Sequence, residues 1–317
     1  MAFNIQGVGS GYGQFCFLST NTWGIANASS LALTASGSTT QALTSPVTGA
    51  FISEDIFLGV SNPADSGDSA FAFMINNGVF STFPLPSGAT YTTTALTTYT
   101  VPSSSDNADL WVMAGDGGQG EVSFLNLNVI CGLASGTSYF NISTIYGLSN
   151  IPAFVIIDDV AYIASNSGGT IDVINIVNGS TSYVGSSDNS ANTPLTMGAI
   201  NSNIFFLDTS NNIHLTNTSG DTLFTVPSSA LPANVNVIVN YNGTLFVVDW
   251  VNSQAMSILI AYTSNIGWGA TYSPVFPLNF NPNNVSVPYA AFDNVAGVLY
   301  GDLAGTAAFA NLSPMEF

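Results

Sequence analysis

No lysine and no arginine occur anywhere in the 317 residues, and there is a single histidine, His214. An ordinary domain is about one-quarter charged, half of it basic, so a chain of this length would carry roughly 40 cationic side chains. Here 18 aspartates and glutamates stand alone, giving a formal net charge of −18 at pH 7. Phosphate contacts from Lys or Arg are impossible, which excludes nucleic-acid binding, and an anionic membrane surface repels the chain. No apolar run reaches the roughly 18 residues that a membrane-spanning helix requires. Residues 1–11 contain neither the basic nor the apolar segment of a secretion signal.

The missing cations have a physical reading. Salt adaptation would produce a dense acidic surface, yet charged residues make up only 6% of the chain. Adaptation to acid fits better. Ordinary proteins unfold in acid because carboxylates paired to cations must protonate, and the uncompensated positive charge then repels itself. Below about pH 3 most Asp and Glu are protonated, and this chain then keeps only His214 and its amino terminus as charges. Carboxylates among other carboxylates, with no cation nearby, are expected to titrate at or above their ordinary values. Stability held by such groups is present in acid and lost as pH climbs through the folded pKa. The chain is therefore expected to be at least as stable near pH 3 as at pH 7.

What the chain does contain is β-forming residues and turns. The stretch from Val155 to Gly179 reads as strand, Asp-Asp turn, strand, Gly-Gly turn, strand, Asn-Gly turn. Alternating apolar and polar positions between such turns mark a meander of antiparallel strands. The strand after the first turn has cousins around Cys16, Phe57, Trp111, Tyr162, Phe205, Phe246 and Leu299. The steps between them are 41, 54, 51, 43, 41 and 53 residues. A period of roughly 40–50 residues built from short strands marks a β-propeller blade. The expectation is an all-β chain, one propeller domain over 1–317, with seven blades (six as the alternative). Only 15 residues precede the first marker and 18 follow the last, so the N- and C-terminal strands are expected to share a blade and close the ring.

One repeat resembles a known family. Ala161-Tyr162-Ile163-Ala164-Ser165-Asn166, followed by Gly169-Thr170-Ile171-Asp172-Val173-Ile174-Asn175, is similar to the YVTN-type propeller repeat. That repeat is frequent in archaeal surface-layer proteins. Elsewhere, as in Leu245 to Asp249, only the hydrophobic pattern is kept. The resemblance implies a propeller of surface or binding type, and it brings no catalytic residues with it. The cation-free composition also resembles that of structural and surface proteins of thermoacidophilic archaea and their viruses.

Candidate chemistry is sparse. His214, in NNIHL, alternates with Ile213 and Leu215 and so lies on the opposite face of its strand. One histidine cannot build a His-rich metal site, and any Ser-His-Asp triad would have to use it. Asp65 and Asp68 in DSGDS, and Asp116 and Glu121 in DGGQGE, have the oxygen chemistry of calcium ligands. Aspartate and glycine doing turn work explain both stretches more simply. DSGDS also resembles the Asp-box of sialidase propellers, but that activity needs arginines the chain lacks. Glu54, Glu121 and Glu316 lie in no catalytic context for a carboxylate pair. Asp208, Asp249 and Asp302 recur at equivalent strand ends, as repeat architecture would place them. Cys16 and Cys131 sit in apolar strands and read as buried thiols; a disulfide would have to join the first and third blades. Asn-x-Ser/Thr acceptors for glycans begin at Asn27, Asn141, Asn178, Asn217, Asn242, Asn284 and Asn311.

These features lead to the expectation of a non-enzymatic protein without cofactor or metal. The reading is a structural protein of a virion, in a capsid, tail, spike or pore-like assembly. Its partners would be copies of itself, other particle proteins and host-surface glycans. A cellular surface-layer or adhesion protein is the alternative, and an acid-active glycosidase or lyase the weaker one.

Overall fold

The structure is a computed structural model. It describes residues 5–62, 70–87, 96–101, 109–115, 122–142, 154–164, 171–175, 181–184, 196–208, 210–235, 237–249, 251–278, 289–303 and 306–312. Nearly every described element is a strand; the helices are one turn at Leu127–Ile130 and a short 3-10 segment at Ser228–Ala230. The described strands form seven antiparallel sheets whose order in space follows the order in sequence, except that in the sixth Phe276–Pro277 pairs back with the third strand. The first sheet contains Ile5–Gly11, Gln14–Ser19, Thr22–Asn27 and Leu33–Ser38. The others span 44–84, 96–142, 154–184, 196–226, 237–277 and 289–311. All seven markers read from the sequence fall in the second strand of a sheet of their own.

Local chemistry accounts for the hairpins. Five two-residue turns have both residues at positive φ, near +47° to +80°: Tyr12-Gly13, Asn77-Gly78, Asp158-Asp159, Asn201-Ser202 and Asn242-Gly243. This is the turn whose twist matches that of paired strands, and Asn, Asp and Gly tolerate it best. Asp158-Asp159 sets Ile157 opposite Val160 and so fixes the register of the fourth sheet. The Gly168-Gly169 and Asn178-Gly179 turns expected beside it lie outside the described residues.

The chain divides into two compact units. One contains Met1–Ile151 and Val287–Phe309, the other Pro152–Ser286 and Ala310–Phe317. In the first unit, the opening strands of successive sheets lie side by side: Thr44–Phe51 runs between Ile5–Gly11 and Leu96–Val101, and Ile5–Gly11 also lies beside Tyr289–Asp293. The Thr-rich strand Leu96–Val101 thus packs beside a neighbouring sheet. In the second unit the opening strands Phe154–Ile157, Thr196–Ile200 and Val237–Tyr241 are adjacent in the same way. The core of each unit lies in layers between sheets. Cys16, Trp23, Phe51, Phe57 and Phe73 fill the layer between the first and second sheets. Phe205, Leu215, Leu245, Val247 and Ile258 fill that between the fifth and sixth.

The N- and C-terminal strands were expected to share a sheet; among the described residues none contains both. Four N-terminal strands complete the first sheet by themselves, and the seventh has three described strands, all C-terminal. The two sheets join by packing instead. Val8 and Phe15 pack on Val298 and Tyr300, the Ser10 hydroxyl donates to the Phe292 carbonyl at 2.7 Å, and the Gly13 N–H donates to Asp293 at 2.9 Å. The first strand runs through Gly7, Gly9 and Gly11. Its neighbour explains why. A Cβ on Gly9 would lie 2.2 Å from the Gly49 carbonyl oxygen, and one on Gly7 2.3 Å from that of Val47. Side chains there would push the two strands apart.

Candidate functional site

The described groups of greatest chemical interest meet in the fifth sheet. Asn203–Leu207, Ile213–Thr216 and Thr222–Val226 are its second, third and fourth strands. Asp208 follows the second strand, at the start of a turn rich in Ser and Asn. Its carboxylate is fully buried, so every lone pair needs a donor. One oxygen accepts the N–H groups of Ser210 and Asn212, each at 2.8 Å. The other accepts the Asn212 side-chain amide at 2.9 Å and His214 Nε2 at 2.8 Å.

His214 is itself buried, on the face of its strand opposite Ile213 and Leu215, which alternation foresaw. Its ring stacks on Phe206 with centroids 4.9 Å apart. Its Nδ1 lies 3.2 Å from the hydroxyl of Thr225, whose residue is exposed on the outer strand. The hydroxyl can donate to a neutral ring or accept from a protonated one. The His214–Asp208 contact at 2.8 Å is the only one with ion-pair geometry among the described residues.

Burial alone would raise the Asp208 pKa. The amide and backbone donors of Asn212, with His214, outweigh it and hold the carboxyl below its ordinary value. Asp208, surrounded by donors and beside His214, thus departs from the expectation for carboxylates among other carboxylates with no cation nearby. Oriented N–H dipoles replace the missing ammonium and guanidinium groups.

The same solution recurs. Asp249, fully buried at the matching turn of the sixth sheet, accepts the Asn252 N–H at 3.0 Å and its side-chain amide at 2.7 Å. The Asn234 N–H and the Gln254 amide lie at 3.3 Å. Asp293, also fully buried, accepts from Gly13, Val295 and Ala296. Sequence reading had not singled out Asp293, although Asp-Asn-x-x-Gly is an ordinary Asx-turn signal. Nor did it find Thr225, whose partner comes from the adjacent strand. Asp302 lies in Val298–Leu303, opposite Tyr289.

The carboxylate–imidazole–hydroxyl order is that of a nucleophilic relay. All three members, however, belong to one sheet and its own turn, and the relay ties the outer strand to that turn. Glu54 is exposed and distant in sequence from the cluster. Asp65, Asp68, Asp116, Glu121 and Glu316 lie outside the described residues. Among those described, no three His, Cys, Asp or Glu side chains are grouped to hold a metal. Cys16 and Cys131 are buried as free thiols in separate core layers. Burial raises both, Cys131 to about 12, which leaves them unreactive at neutral pH and below.

Of the glycan acceptors, Asn242 is exposed at its turn. Asn27 uses its side-chain oxygen to accept from Ser29 and Ser30, and the Asn217 amide donates to Asp221 at 3.0 Å. Asn141 and Asn311 lie in the strands Tyr139–Ile142 and Thr306–Asn311. Asn178 and Asn284 are outside the described residues.

Antiparallel four-stranded meanders, with opening strands side by side and core layers between sheets, define a β-propeller fold. Solved structures agree. BamB from Moraxella catarrhalis is similar over 96% of this chain and 82% of its own, with 12% identity and a TM-score of 0.54. A chain of the mitotic checkpoint complex is similar over 98% of this chain and 90% of its own, with 9% identity and a TM-score of 0.63. At such identities the likeness is one of fold. No protein-family model matches the sequence, and no curated protein is significantly similar to it. No described helix is long and apolar enough to cross a membrane.

Proposed function

We propose that this chain is a non-enzymatic structural protein of a virion, working in hot acid through contacts with other copies and other particle proteins. One observation carries the reading: a chain without a single Lys or Arg satisfies its buried carboxylates with backbone and amide N–H groups. Such a fold has almost no salt bridges for acid to break, and no Lys or Arg for acid to leave uncompensated. The propeller supplies rigid sheets whose edges and loops suit repeated protein contacts. The YVTN-like segment around Ala161 to Asn175 supports a role at an exposed surface.

The test is localisation. Antibody raised against the purified chain, applied with gold label to particles and cell envelopes from the producing culture, is expected to decorate the particles. Label confined to the envelope would overturn the virion reading in favour of a surface-layer protein. Release of reducing sugar from polysaccharides at about pH 3 would overturn its non-enzymatic character.

A further inference from the structure

The sixth sheet carries a feature that the Asp208 cluster does not explain. Its third strand, Gln254–Thr263, has ten residues, and the second strand Thr244–Asp249 pairs only with residues 254–259. The remainder, from Ile260, pairs solely with the fourth strand, Gly267–Tyr272. A two-stranded hairpin therefore extends past the body of the sheet. At its base Ile260 is buried, and Trp268 and Ala270 pack on the core layer shared with the fifth sheet. Towards its tip Tyr262 meets Trp268 edge to face at 5.5 Å, while Tyr262 is 62% exposed and Ile266 85%.

Among the described residues, no strand pairs with the outer edge of Gly267–Tyr272. The Ser273 N–H donates to the Ser257 carbonyl at 2.9 Å. In an antiparallel ladder the inward-bonding residues alternate, so Gly267, Gly269 and Thr271 also bond inward. Trp268, Ala270 and Tyr272 then direct their backbone N–H and C=O groups outward. This strand has no lysine, proline or bulge, the usual devices that keep an edge from pairing. On the face opposite Trp268, a Cβ added at Gly269 would meet nothing within 4 Å, so that face of the strand is uncovered there.

Charge selects the occupant. No Asp, Glu or His lies between Asp249 and Asp293, on a molecule whose net charge is −18. A cationic partner has nothing to pair with on this hairpin, and the repulsion between two like copies fades in acid as their carboxylates protonate. A second copy offers the same uncharged strand. Contact here brings two copies together without facing carboxylates that no cation can neutralise. We infer that Gly267–Tyr272 pairs antiparallel with the same strand of a second copy about a two-fold axis. A register centred on Ala270 sets Trp268 against the partner's Tyr272. The inference draws on the structural-protein reading only for the use made of the contact.

Sedimentation velocity of the full chain at pH 3.5 and pH 7 tests it, together with amide exchange and two variants. Ala270→Pro removes an outward N–H that the chain's own ladder does not use, so the sheet is expected to fold while dimer dissociation rises at least about tenfold. Ala270→Cys is expected to yield a disulfide-linked dimer under mild oxidation, since directly opposed Cα atoms in a hydrogen-bonded pair lie about 5.5 Å apart. Wild type should protect the Trp268, Ala270 and Tyr272 amides, and lose that protection on dilution. A monomer at all concentrations, a dimer unchanged by Ala270→Pro, or no concentration-dependent protection would overturn the inference. If Ala270→Pro unfolds, exchange in the wild type decides alone. Decorated particles with an unaffected Ala270→Pro variant would sink this contact and leave the virion reading standing; a dimer without decorated particles would do the reverse.

Discussion

Asp208 shows how a buried carboxylate survives without a cation. Its folded pKa is depressed, so its contribution to stability is complete above the unfolded value of 3.8 and drains away as pH falls through the folded one. Replacing it with Asn keeps the shape but turns one acceptor into a donor facing Asn212 and His214. Asp208→Asn is expected to lose about 2–3 kcal/mol at pH 7, from weakened charge-assisted bonds and a stranded donor. The diagnostic result lies in acid: between about pH 4 and pH 2 the wild-type melting temperature should fall, and that of the variant should fall less. Parallel curves would show that the Asp208 carboxylate is not held in its charged form.

Strands in this chain are positioned by what their glycines leave out. Gly7 and Gly9 in Ile5–Gly11 let the backbone of Thr44–Phe51 come within a distance no Cβ allows. Gly9→Ala is expected to cost about 3 kcal/mol in denaturant melts, at the upper end for overpacking. Gly269→Ala, where a Cβ meets nothing within 4 Å, is the matched control and should change stability by less than about 1 kcal/mol. At the hairpin of the fifth sheet, Asn201-Ser202 holds Ser202 at a φ of +60°, a region costly for a residue with a Cβ. Ser202→Gly should therefore stabilise by about 0.5 kcal/mol, read as a raised melting midpoint.

For the molecule as a whole, two pH effects oppose each other. Titrating the carboxylates towards neutrality relieves the self-repulsion of a net charge of −18, which raises stability as pH falls from 7 to about 4. Below 3.8 the loss at Asp208 works the other way. The melting temperature is expected to pass through a maximum near pH 4. Because repulsion between exposed charges is screened, about 0.5 M salt should flatten the neutral limb and leave the acid limb in place. A curve that falls steadily from pH 7 to pH 4 at low salt would contradict this account.

Features fixed within a few residues were legible in the chain itself. Asp158-Asp159, Asn77-Gly78 and Asn242-Gly243 announce their turns because positive φ is a local demand that few side chains meet. The seven markers announce their strands because apolar alternation has a period of two. The lack of Lys and Arg needed no coordinates. What sequence could not show depended on neighbours brought from afar: Gly13 donating to Asp293, Gly9 lying against Gly49, Thr225 closing on His214. The acid response turned on the same distinction. Composition counts charges, but the donors around Asp208 set its affinity for a proton, and only the folded chain assembles those donors.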